Sequence, residues 1–176
     1  MIHRTRISTW AGIAVLLLGA AGMAMQQPAR QRNPPDDADS KEYRNYRLTM
    51  DNVTKFAEAS KALVKLSHDN PSLEKSMESQ ADAKTIEEAV RTTERFPAVT
   101  AAIKSAGLTP RDFVVMTGTL MGAEMAVGMK KQGQIKQYPP SVSPENTAFV
   151  EQNWDRVNAM MQAVANSAGP TGQPKY

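Results

Sequence analysis

Residues 109–133, TPRDFVVMTGTLMGAEMAVGMKKQG, carry helix start and stop signals around an interior that is apolar on nearly every side, and this stretch limits what the chain can fold into. Thr109 suits an N-cap, Pro110 sits where a missing N–H costs nothing, and Asp112 stands where the Glu or Gln of a capping box belongs. Leu108 and Phe113 have the spacing of a hydrophobic staple. Lys130 and Lys131 complement the negative end of the helix, and Gly133 provides the left-handed turn that stops it.

At about 100° per residue, Thr117, Glu124, Gly128 and Lys131 share one sector roughly 60° wide, and everything else around the cylinder is apolar or small. Val114, Met121, Met125 and Met129 form one flank of it. Such a helix belongs in a bundle core or in a membrane. The apolar run 113–129 is at the short limit of a span of roughly 17–25 residues, and Glu124 and three glycines interrupt it, so the bundle is the better reading. Gly118, Gly122 and Gly128 lower helix propensity, which predicts close approach of neighbouring helices at all three.

The chain opens with MIHRTRISTW, continues through AGIAVLLLGAAGMAM and turns polar at Gln26. That order is the order of a secretory signal, read here as residues 1–24 with cleavage after Ala24. The alternative is an uncleaved anchor, for which the 16 uncharged residues 10–25 barely suffice. With no cysteine, a lipoprotein signal, a disulfide framework and thiolate chemistry are excluded. Export then predicts a periplasmic or secreted protein of a bacterium, with no membrane span after cleavage. Removing residues 1–24 takes Lys+Arg from 21 to 19 against 18 Asp+Glu, a net charge of about +1. No cluster of basic residues with interleaved aromatics exists, so nucleic acid is not the expected partner.

Residues 25–41, opening MQQPARQRNPPDDADS, combine proline, charge and amide and read as a disordered linker. A helical domain spans 42–168. Thr49 caps a helix with Val53, Phe56, Ala57, Leu63 and Val64 on its apolar side, ending near His68. SLEKSMESQ makes a short helical piece, and TIEE at 85–88 forms a second capping box for a helix reaching Phe96. Pro97 opens a short helix closed by Gly107, which leaves only a tight corner before Thr109. The last helix starts at Ser143 and Pro144 and presents Phe149, Val150, Trp154, Val157, Met160, Met161 and Val164 on one face. Residues 169–176 are a loose tail. With no sustained period-two alternation, the expected fold is all-α, a single-domain bundle of about five helices around a buried central helix at about 110–132.

The strings LTMDNV, AGLTPRDFV and SPENTAFV resemble a set of small, exported, all-helical bacterial proteins that are uncharacterised. The resemblance covers most of residues 46–166. It implies export and a helical domain, and it brings no activity, cofactor or site residue.

Catalytic constellations are sparse. His68, beside Asp69 at a helix end, reads as a favourable C-terminal charge rather than a general base. Asp36 and Asp37 lie in the linker, where they would hold a hard cation weakly. No serine lies in a nucleophile-elbow pattern, no phosphate loop occurs, and zinc- or calcium-type ligand sets are missing. The methionines are the compositional excess. Met121, Met125 and Met129 recur every four residues, and such residues fill irregular cores, line adaptable apolar surfaces or, as thioethers, ligate Cu(I).

Two functions remain open. The favoured one is a noncatalytic envelope module that binds a partner protein or an apolar small molecule, without a cofactor, through Glu124, Thr117, Met121, Met125 and Met129. The other is a copper carrier using the methionines, or an enzyme of unrecognised type built on Glu124 or His68. Glu124 itself has two readings. The stripe Thr117, Glu124, Lys131 predicts a thin solvent-facing seam; the competing reading buries the carboxylate against another helix, paired with Arg91, Lys104 or Arg156 or else protonated.

Overall fold

Side-chain caps, prolines and left-handed glycines set the helix limits in the computed structural model, which describes residues 38–70, 73 and 83–167. Seven helices form among the described residues: α1 (Ala38–Asn45), α2 (Met50–Asp69), α3 (Ile86–Glu94), α4 (Pro97–Ser105), α5 (Pro110–Lys131), α6 (Pro144–Gln152) and α7 (Trp154–Asn166). The expected signal, most of the linker, the SLEKSMESQ piece apart from Leu73 and the tail lie outside the described residues.

Thr49 and Asn52 form a reciprocal capping box at the start of α2, with Asn52 N donating to Thr49 Oγ1 at 3.2 Å and Thr49 N to Asn52 Oδ1 at 2.8 Å. Thr109 and Asp112 do the same for α5. Gly107, at φ +80°, and Gly133, at φ +72°, occupy the left-handed region expected of them. The box expected at TIEE is only half made. Thr85 accepts from Glu88 N at 3.1 Å, but the Glu88 carboxylate accepts from Lys84 N at 3.0 Å, one residue too early to return to the cap.

The chain departs from the sequence reading in two further places. Helix α1 begins inside 25–41, the stretch read as a linker, and it buries no residue of its own. Contacts to distant parts of the chain hold it instead. Asp39 Oδ2 accepts from Ile86 N at 2.9 Å, Thr119 Oγ1 donates to Tyr43 O at 3.1 Å, and Arg111 grips Glu42 through two bonds of 2.8 Å while reaching Glu87 at 3.1 Å. The expected single last helix is broken at Asn153, whose φ and ψ of −115° and 18° leave the helical region. Its Nδ2 donates to Phe149 O at 2.8 Å, so a side chain competes for a carbonyl of the final turn of α6. The count therefore exceeds the expected five.

The fold is an all-α bundle. Helix α5 packs against α1, α3, α4 and α6, while α2 packs against α4 and α7. The main core joins Val53, Phe56, Ile103, Phe113, Met116, Leu120, Val127, Val150 and Val157, with Phe56 and Phe113 stacked at 5.0 Å. Leu108 and Phe113, the staple pair, are both buried in it. A second cluster, Ile86, Ala89, Val90, Val114 and Val115, with Tyr43 and Tyr46 against it, seats α1 and α3 on another side of α5.

Between α1 and α2 the backbone at 46–48 is pinned by Asn146, which is 1% exposed. Its Oδ1 accepts from Leu48 N at 2.9 Å, and its Nδ2 donates to Tyr46 O at 2.7 Å. One side chain at the start of α6 thus replaces the backbone partners that an extended segment lacks.

Candidate functional site

The central helix is not buried all round. Its amino-terminal half is covered by α1 and α3, but farther along the same flank Met121 is 49% and Met125 63% exposed. No other large apolar side chain among the described residues is exposed in this way. Met129, one further turn on, is half-buried. The bundle reading thus holds for the fold and fails for this flank, because a helical wheel reports which residues share a face and not whether anything covers it.

Beside these methionines runs an open groove of about 370 Å³. Ser40 and Tyr43 of α1 form one wall, Pro139, Ser141 and Val142 the other, and Gly118, Gly122, Met125, Ala126 and Met129 of α5 the floor. None of these ten side chains is charged. The loop wall is tied down near its base. Lys130 Nζ lies 3.1 Å from Glu151 on α6 and 4.3 Å from the centre of the Tyr138 ring, while Val142 N donates to Pro139 O at 3.1 Å. The Glu151 carboxyl is held below its usual range by Tyr138 and by the ammonium of Lys130.

The three glycines expected to mark close approaches divide. A Cβ on Gly118 would lie 2.5 Å from Tyr43 Cε1, so the tyrosine ring rests on bare backbone there. A Cβ on Gly128 would make ordinary contact with Trp154 at 3.5 Å, and one on Gly122 would meet nothing within 4 Å. Gly122 therefore opens the groove instead of admitting a neighbouring helix. Gly118→Ala is expected to destabilise by about 1–3 kcal/mol as Tyr43 is pushed off, whereas Gly122→Ala should stabilise by up to about 1 kcal/mol through helix propensity. Thermal unfolding of the two variants checks this; shifts of the same sign would mean that Tyr43 does not rest on Gly118.

Glu124 contradicts the seam reading. Thr117 and Lys131 are exposed, and Thr117 Oγ1 merely donates back to Phe113 O at 2.7 Å, but Glu124 Oε1 is buried without a hydrogen-bond partner in the protein. Burial pushes its pKa up to about 7, and none of Arg91, Lys104 or Arg156 pairs with it. The break at Asn153 places the start of a further helix beside Gly128 and Lys131 of the stripe. It starts α7 at Trp154, whose ring lies against Gly128 and 5.4 Å from Lys131 Nζ. The five candidate residues are thus not one site. Met125 and Met129 line the groove, Met121 continues their flank, and Thr117 and Glu124 belong to another sector of α5.

Of the ten groove residues only Met125 and Met129 were assigned to a site from the sequence; the other eight, Tyr43, Gly122, Pro139 and Val142 among them, were not. Among the described residues, no group of three or more His, Cys, Asp or Glu side chains is placed to hold a metal ion. His68 is exposed with Asp69 at 3.5 Å, as expected of a helix end. No helix among the described residues is long and apolar enough to cross a membrane. No protein-family model matches the chain, and no curated protein or solved structure matches it.

Proposed function

We propose that the protein is a noncatalytic, exported binding module whose open face on α5 receives an apolar segment of a partner protein. The observation that carries this reading is the exposure of Met121 and Met125 beside an uncharged groove. Leaving a large apolar side chain in water forgoes about 1.5–3 kcal/mol, and a contiguous apolar patch on a small domain usually marks an interaction surface. Methionine suits that role because its flexible thioether repacks against differently shaped partners. A small apolar molecule fits less well, since ligand sites enclose most of their ligand and this groove is open along its length. Export and a periplasmic or secreted location belong to the same proposal and rest on the residue pattern of 1–24 and on the resemblance to exported helical proteins.

An environment-sensitive apolar dye tests the surface on purified, folded protein. Wild type should enhance the dye's fluorescence, and both Met125→Glu, which places charge on the face, and Gly122→Leu, which fills the groove, should remove most of that signal. Equal fluorescence from all three proteins would place the apolar surface elsewhere and defeat the reading.

A further inference from the structure

Two of the three glycines inside α5 carry an aromatic ring. The Tyr43 ring lies on Gly118, where a Cβ would stand 2.5 Å from Cε1 and 3.0 Å from Cδ1 and Cζ, and the edge of the Trp154 indole lies 3.5 Å from the Cβ position of Gly128. Gly122 carries none. Among the described residues nothing comes within 4 Å of its Cβ position, which opens into the groove. A glycine inside a helix lowers stability relative to alanine, and at Gly118 a ring that needs bare backbone offsets the loss. At Gly122 no described residue does so. Tyr43 cannot serve both positions, because its ring occupies Gly118 and its carbonyl is held by Thr119 Oγ1 at 3.1 Å.

We infer that Gly122 is the seat for a further ring, supplied from outside: the groove receives an uncharged stretch of a partner protein that sets one aromatic side chain on this glycine. The inference rests on the docking reading above and states what the docked segment must contain. Two features favour a ring over an aliphatic side chain. Gly118 lies one turn before Gly122, about 6 Å along the axis, so a ring on Gly122 falls within the separation of roughly 4.5–7 Å at which aromatic rings attract, with Tyr43 as its neighbour. Met125 and Met129 stay within about 60° of Gly122 around the helix and lean back toward its amino terminus. That brings thioether sulfur, a favourable neighbour of aromatic rings, toward the seat. The absence of charge among the ten lining side chains sets the rest of the segment, since a charged residue beside the anchor would lose hydration without gaining a partner.

The test is NMR of the purified protein with isotope-labelled methionine methyl groups. The probes are a blocked, uncharged peptide of alanine and serine with one central tryptophan, a twin peptide with leucine in its place, and free indole. The tryptophan peptide should shift the Met125 and Met129 methyl signals through its ring current and bind about five-fold or more tightly than the leucine twin, the gain expected from one ring pair and one thioether contact. Gly122→Ala should abolish that preference while keeping the dye signal of the exposed methionines. Gly128→Ala, whose Cβ makes only ordinary contact with Trp154, should leave the preference unchanged.

The dye reports the open face and the peptide pair reports the seat, so the two readings fail separately. Equal affinity for both peptides in a protein that gives the dye signal would overturn the aromatic seat and leave the docking surface standing, whereas a wild type without the dye signal would defeat the docking reading itself. A tryptophan preference that survives Gly122→Ala would also overturn the assignment, as would failure of both peptides to bind. Binding of free indole without the tryptophan peptide would make the occupant a small molecule and overturn the segment.

Discussion

Asn146→Ala is expected to lower stability by about 3–5 kcal/mol, the largest effect of a single polar truncation that the structure supports. The side chain is 1% exposed and serves both Leu48 N and Tyr46 O, so its removal strands a buried donor and a carbonyl while also opening a small cavity. Each stranded group costs roughly 1–3 kcal/mol when its lost partner is not replaced. The damage should not stay local. Residues 46–48 carry Tyr46, which packs on the second core cluster, and Leu48, which is buried in the main one. Urea unfolding gives the value directly, with Gln152→Ala on the exposed end of α6 as a control expected within about 0.5 kcal/mol of wild type. A midpoint for Asn146→Ala as close to wild type as the control's would mean that the 46–48 backbone finds other partners.

Glu124→Gln should raise stability at alkaline pH and leave it nearly unchanged in acid. Burial holds the native carboxyl at a pKa of about 7 against 4.5 for the free group. Below pH 4.5 both folded and unfolded chains keep the proton, so the residue contributes no pH dependence. Between 4.5 and about 7 the unfolded chain releases the proton while the folded one retains it, and stability falls as pH rises. Above about 7 the folded chain bears a poorly solvated carboxylate, and the deficit levels off at about 3 kcal/mol, taking roughly 1.4 kcal/mol per pH unit. Glutamine has no proton to lose. The difference between variant and wild type should therefore be near zero at pH 4 and reach about 3 kcal/mol in the variant's favour at pH 8. Parallel stability curves would restore the hydrated seam.

Local signals made much of this fold legible in the sequence. Thr49, Thr109 and Ser143 cap the helices they were expected to cap, Pro97, Pro110 and Pro144 open them, and Gly107 and Gly133 close them, because each acts through neighbours within a few residues. What escaped depends on distant partners. ADSKEYRN has no apolar periodicity and buries nothing, so α1 depends on distant partners, among them the bare backbone of Gly118 under Tyr43 and Arg111 on Glu42. Asn153 is unremarkable in a helical pattern until its amide captures Phe149 O.

The candidate site was half legible for the same reason. The spacing of Met121, Met125 and Met129 identified a shared flank, but whether that flank was covered depended on where α1 and the 139–142 loop stop. For Glu124, the wheel gave its sector and could not give its solvation. Gly122 was read from the sequence as a close approach, and its opposite role follows from its neighbours. Gly122 lies between two surface methionines on a helix otherwise rich in bulky residues, a place where a missing side chain makes room.

The central claim is that the face around Gly122 and Met125 is where this protein meets its partner. Site-specific photo-crosslinking in the cell that makes the protein tests it most directly, with a photoreactive phenylalanine in place of Met125 and, as a control, in place of the exposed Gln162 on α7. The account predicts a discrete protein adduct from position 125 that disappears when Gly122→Leu fills the groove, and none from position 162. An adduct from position 125 that survives Gly122→Leu, equal adducts from both positions, or no adduct from position 125 would contradict it.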